Sequence, residues 1–99
     1  MEELREVPIL IFEGGFTERD EFETPSKGYR PDGIVILPDK RRFSVYFYDP
    51  VRLQQDLFVE KIIAEVGLIV IEEVTREKME EAVQKLYEIK YFDSLVPIA

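Results

Sequence analysis

Histidine, cysteine and tryptophan are all missing from these 99 residues. Without cysteine there are no disulfides, no thiolate metal sites and no thiol nucleophile. Without histidine the chain loses the commonest general base, the commonest metal ligand and the usual near-neutral pH switch. Ser-His-Asp catalysis and His-ligated zinc are therefore excluded within the chain. Any chemistry would fall to carboxylates, lysine, arginine, tyrosine or hydroxyl side chains. No apolar run approaches the roughly 20 residues needed to span a bilayer. The first residues, MEELREVPILIFEGG, are acidic where a secretory leader is basic. The expected location is cytoplasmic.

Positive charge is scarce as well. The chain holds 21 acids against 13 bases, a net charge of −8. Residues 1–32 carry nine acids against four bases, residues 33–50 two against three, and residues 51–99 ten against six. The only basic cluster is Lys40-Arg41-Arg42, at a turn, whereas phosphate-backbone binding calls for a basic stripe. Nucleic acid and anionic membrane are not the expected partners. An acidic surface complements a basic protein, and at the least it keeps a small domain dispersed.

One domain fits this length. Residues 7–12, VPILIF, form an apolar, β-branched run closed by Gly14-Gly15, which predicts a strand. Residues 13–32 sustain neither a period of 2 nor one of 3.6, and read as a long acidic-aromatic loop. A hairpin follows, with arms Ile34–Leu37 and Phe43–Tyr48 around Pro38-Asp39-Lys40-Arg41. Asp49-Pro50 predicts a helix start, with Asp as the cap and Pro at the first helical position. The preferred end of that helix is Val66, with Gly67 as its left-handed stop; a shorter helix ending near Glu60 competes. Leu68–Ile71 reads as a buried strand parallel to Phe43–Tyr48. Thr75 caps a last helix, whose Met79, Ala82, Val83, Leu86 and Tyr87 recur at helical spacing. Val96–Ile98 is a candidate edge segment. The order strand, long loop, hairpin, helix, strand, helix implies an α+β fold. It is a small two-layer sandwich, with two helices packed on a mixed sheet of three to five strands.

Tyr48, Asp49 and Arg52 are the nearest approach to a reactive constellation. Proline directly after Asp49 points to a helix cap rather than to a catalytic carboxylate. Glu72, Glu73, Glu77, Glu80 and Glu81 are acidic, but adjacent strand residues face opposite ways and no calcium-loop spacing occurs, so no metal is assigned. The 13–32 segment sets Phe16, Phe22 and Tyr29 among Glu18, Asp20, Glu21 and Glu23. Aromatic anchors interleaved with acids suit recognition of a basic partner. The leading expectation is a small non-catalytic module acting by protein–protein contact, immunity-like or antitoxin-like, with no cofactor. An enzyme or small-molecule site around Tyr48, Asp49 and Arg52 is the alternative. A further reading is a homodimer through the apolar C-terminal segment, Tyr91–Ile98, or a sheet edge.

Overall fold

A computed structural model describes residues 7–98. The leader reading of the N-terminus rests in part on residues 1–6, which lie outside the described residues. Alternation of inward and outward side chains shapes the sheet. Strand β1, Ile9–Phe12, turns Leu10 and Phe12 inward and leaves Ile9 and Ile11 exposed. It pairs antiparallel with β2, Tyr29–Ile36, which pairs antiparallel with β3, Arg42–Tyr48. Strand β4, Leu68–Val70, lies parallel to β3 on the other side. The spatial order is β1-β2-β3-β4.

The β2–β3 hairpin closes as its turn residues require. The Lys40 N–H donates to the Leu37 carbonyl at 2.8 Å. The Asp39 carboxylate accepts from the Arg41 N–H at 3.0 Å.

Three helices accompany the sheet: α1, Glu18–Lys27; α2, Pro50–Glu60; and α3, Arg76–Glu88. The architecture is the expected α+β two-layer sandwich around a four-stranded mixed sheet. Its core lies between one sheet face and α3. Val35, Phe43, Val45 and Phe47 from the sheet meet Val74, Met79 and Val83, all essentially inaccessible. Thr75 caps α3 by accepting from the Lys78 N–H at 3.1 Å. Val74 and Met79, on either side of that cap, are both buried, as a hydrophobic staple requires. A short 3-10 turn at Tyr91–Ser94 swings Phe92 into the same core, its ring 5.5 Å from that of Phe43. Val96–Ile98 adds no strand; it contributes one hydrogen bond, from the Ile98 N–H to the Arg42 carbonyl at 2.7 Å.

Two expectations need correction. Residues 13–32 are not a loop: they hold α1 and the first half of β2. Thr17 and Asp20 form a capping box. The Thr17 hydroxyl accepts from the Asp20 N–H at 3.3 Å, and the Asp20 carboxylate accepts from the Thr17 N–H at 2.8 Å. Gly28, at φ 67°, ends the helix by donating its N–H to the Thr24 carbonyl at 3.0 Å. Pro25 sits inside the last turn, where it removes one backbone donor just before the helix stops at Gly28.

The second correction concerns α2, which stops at Glu60 rather than Val66. Lys61 takes the left-handed position at φ 69° and returns its N–H to the Leu57 carbonyl. Gly67 therefore does not end the helix; it opens β4. Its φ is +86°, and a Cβ there would lie 2.3 Å from the Ser44 carbonyl oxygen. Only glycine lets the returning chain come this close to β3.

Helix α2 is the crossover between the parallel strands β3 and β4, yet none of its residues is buried. It adds nothing to the core that α3 and the sheet share. Among the described residues no helix is long and apolar enough to cross a membrane.

Candidate functional site

The joint between β3 and α2 brings Tyr48, Asp49 and Arg52 together, and each is engaged. Asp49 caps α2, its carboxylate accepting from the Arg52 N–H at 2.7 Å. Its own N–H donates to the Gly28 carbonyl at 2.9 Å. The stop of α1 and the start of α2 are thereby locked to each other. Arg52 donates from Nε to Asp56 at 3.0 Å and from Nη1 to the Lys27 carbonyl at 3.1 Å. That carbonyl lies at the negative end of α1, where a cation is favoured. The guanidinium also stands 5.2 Å from the centre of the Tyr29 ring.

Buried Tyr48 donates its hydroxyl to the other oxygen of Asp56 at 3.0 Å. Burial and the Asp56 carboxylate push its phenol up to about 12. Asp56 is held below the usual carboxylate range by the Arg52 hydrogen bond, with Tyr48 assisting. A phenol so hard to ionise is poorly suited to act as a base or nucleophile near neutral pH. The network serves as a pin that fixes where α2 leaves the sheet. Among the described residues no group of metal-ligating side chains gathers.

The seven residues expected to meet a partner separate into three sets. Phe16, Asp20 and Tyr29 do internal work. The Phe16 ring lies 5.2 Å from that of Phe12, and Tyr29 stacks on Tyr48 at 4.6 Å. Asp20 closes the α1 capping box, and the Thr17 N–H holds its carboxyl below the usual range. Glu23 is tied along the helix to Arg19 at 2.8 Å and to Lys27 at 3.6 Å. Glu18, Glu21 and Phe22 remain. They are exposed on α1, Phe22 at 87% of its full surface, and they make no side-chain hydrogen bond or ion pair among the described residues.

Arg30 escaped the sequence reading. Its side chain is only 12% exposed, and its guanidinium stacks on Phe12 and Phe16 at 4.6 and 5.2 Å. It bonds Asp32 at 3.0 Å and the Gly15 carbonyl at 2.6 Å, and pairs with Asp20 at 3.5 Å. It holds the start of α1 to β2. Arg76 from α3 comes within 5.2 Å of the same Phe16 ring. The sequence around Arg30, Tyr29-Arg30-Pro31-Asp32, gave no periodic signal for this role.

A second exposed apolar surface lies on α2. Val51, Gln54, Gln55, Phe58 and Val59 line a shallow groove on one side of the helix. Helical steps of about 100° centre it about 90° from Arg52 and further from Asp56, with Val59 at the edge nearest Arg52. Phe58 is 76% exposed and Val59 73%. Just beyond the helix, Ile62 and Val66 are as open. Apolar side chains at helical spacing ordinarily signal a buried face, yet these stand in solvent. The C-terminal segment packs on its own domain through Phe92 and Leu95, while Val96 stays 86% exposed.

The chain matches no protein-family model, and no curated protein or solved structure is significantly similar to it.

Proposed function

We propose that this chain is a small non-catalytic module that acts by protein–protein contact in the cytoplasm, and that α2 is its contact helix. The observation that carries this reading is the outward face of α2. A crossover helix with no buried residue displays Val51, Phe58 and Val59 to solvent, Phe58 carrying only the Lys61 ammonium at 4.6 Å from its ring centre. Patches of this kind mark interaction sites more often than chance. The pin at Tyr48, Arg52 and Asp56 supports the same reading, because it presents the helix in a fixed attitude at low entropic cost to binding. An acidic second surface, Glu18, Glu21 and Phe22 on α1, suits a basic partner in the immunity-like or antitoxin-like manner; its support is the 87% exposure of Phe22 between acids. The alternative of a reaction centre at Tyr48, Asp49 and Arg52 has less behind it, since all three groups are occupied by one another, by caps and by Asp56.

The test is photo-crosslinking in the cell of origin. A photoreactive residue is placed in turn at Phe58, at Phe22, and at the exposed Lys85 on α3 as control. Position 58 should give a discrete adduct, with position 22 adding a second if a basic partner is present. Position 85 should give none. Absence of any adduct at 58 would remove α2 as a contact helix.

A further inference from the structure

We infer that the outward face of α2 pairs with the same face of a second copy of this chain, as an antiparallel helix pair about a two-fold axis between Gln54 and Gln55. This rests on the reading of α2 as a contact helix and names its partner. The residues of this face are themselves arranged symmetrically. Val51-x-x-Gln54-Gln55-x-x-Phe58 is balanced about the midpoint of the two glutamines. Turned about that point, Val51 of each copy meets Phe58 of the other, and the glutamines meet across the axis. An isologous interface needs a surface of this self-complementary kind. Glutamine amides carry both donors and an acceptor, so identical side chains can satisfy each other.

Charge bears on the choice of partner. The chain as a whole is at −8, so two copies repel over most of their surfaces. None of the five groove residues is charged. The nearest charge is the Lys61 ammonium, 4.6 Å from the centre of the Phe58 ring, and it disfavours a basic partner; Arg52 and Asp56 are paired to each other at 3.0 Å. A basic partner has nothing to recognise here, whereas a neutral apolar helix face does, and the second copy supplies one.

Area sets the scale. The exposed parts of Val51, Phe58 and Val59 amount to on the order of 300 Å² of apolar surface per copy, and the exposed Gln54 and Gln55 add polar area. Specific interfaces bury about 800 Å² per partner, somewhat more than half of it apolar. The pair therefore falls at or below the small end of specific interfaces, which fits a weak, reversible dimer.

The absence of cysteine makes the register directly readable. Across the proposed axis, position 55 of the two copies is offset by about 1.5 Å along the helices, and position 51 by roughly 10 Å. A disulfide tolerates Cα separations up to about 7 Å. The full chain is examined by sedimentation equilibrium, with Gln55→Cys and Val51→Cys then oxidised separately. The wild type should be a weak, reversible dimer, tightening with added salt as repulsion is screened. Phe58→Glu should weaken it by about 100-fold or more, with the circular dichroism of the fold unchanged. Gln55→Cys should link to itself readily and Val51→Cys should not. A chain that stays monomeric, a dimer indifferent to Phe58→Glu, or Val51→Cys linking as fast as Gln55→Cys each overturns the pairing. If the chain is monomeric and position 58 still captures a different mass in the photo-crosslinking, the contact helix stands and self-pairing falls.

Discussion

Replacing Gly28 with alanine should unfold the joint between α1 and α2 from both sides. Gly28 ends α1 at φ +67°, a region that costs an L-residue about 1 kcal/mol. The added Cβ would also lie 2.6 Å from both carboxylate oxygens of Asp49. Such contacts force Asp49 to swing away and give up the 2.7 Å bond that caps α2. Loss of an N-cap costs about 1–2 kcal/mol. The two effects together predict a destabilisation of about 2–3 kcal/mol. The assay is urea unfolding followed by far-ultraviolet circular dichroism, at one protein concentration in a Phe58→Glu background so that association does not enter. A loss of that size moves the midpoint down by about 1–2 M for a domain of this size. The decisive comparison is a double-mutant cycle with Asp49→Ala. With the carboxylate gone, Gly28→Ala should cost only the backbone strain, about 1 kcal/mol. Equal costs in the two backgrounds would refute the reasoning, because the clash with Asp49 would then contribute nothing.

Two further outcomes follow from the same geometry. Burial and the Asp56 carboxylate raise the Tyr48 phenol from 10 to about 12, so it leaves stability unchanged below pH 10 and lowers it as pH climbs towards about 12. Tyr48→Phe should cost about 1 kcal/mol at neutral pH and should flatten the alkaline limb of stability against pH, measured by urea unfolding at stepped pH. Arg30→Lys keeps the charge but not the planar fork that spans Asp20, Asp32 and the Gly15 carbonyl while stacking on Phe12 and Phe16. It should cost about 1–2 kcal/mol in urea unfolding, and a neutral result would make the stack incidental.

Strands β1 to β3 and two of the three helices were legible because their residues do what their pattern advertises; the fully buried strand expected at Leu68–Ile71 is instead the edge strand β4, Leu68–Val70, with Ile69 buried and Val70 46% exposed. Phe43, Val45 and Phe47 alternate and are buried; Val74, Met79 and Val83 keep helical spacing and face the sheet. Asp49-Pro50 announced a helix start and is one. Helix α1 was illegible for the converse reason. Only Thr24 in it is buried, so it has no apolar stripe, and Pro25 sits where sequence rules read a break. Its signal was local: Thr17 and Asp20 at capping-box spacing, with Gly28 past the last turn. The end of α2 was misplaced because Ile62, Ile63 and Val66 prolong the helical period. The chain instead leaves the helix at Lys61 so that Gly67 can reach the Ser44 carbonyl.

The candidate site divides in the same way. The seven acidic and aromatic residues at 16–29 looked alike in sequence, yet burial and capping take Phe16, Asp20 and Tyr29 into the structure and leave Glu18, Glu21 and Phe22 on the surface. The open face of α2 had no sequence signal at all. Pattern alone does not separate an apolar face packed within its own domain from one that awaits a partner.

Amide hydrogen exchange over residues 50–60, followed through a dilution series, tests the account at its centre. If the outward face of α2 is a contact surface, its amides should be well protected in concentrated wild-type protein. They should exchange faster on dilution, and in Phe58→Glu they should exchange fast at every concentration, while α3 stays unchanged throughout. Protection of α2 equal to that of α3 in dilute Phe58→Glu would contradict it, since the helix would then be held by its own domain and its exposed face would need no partner.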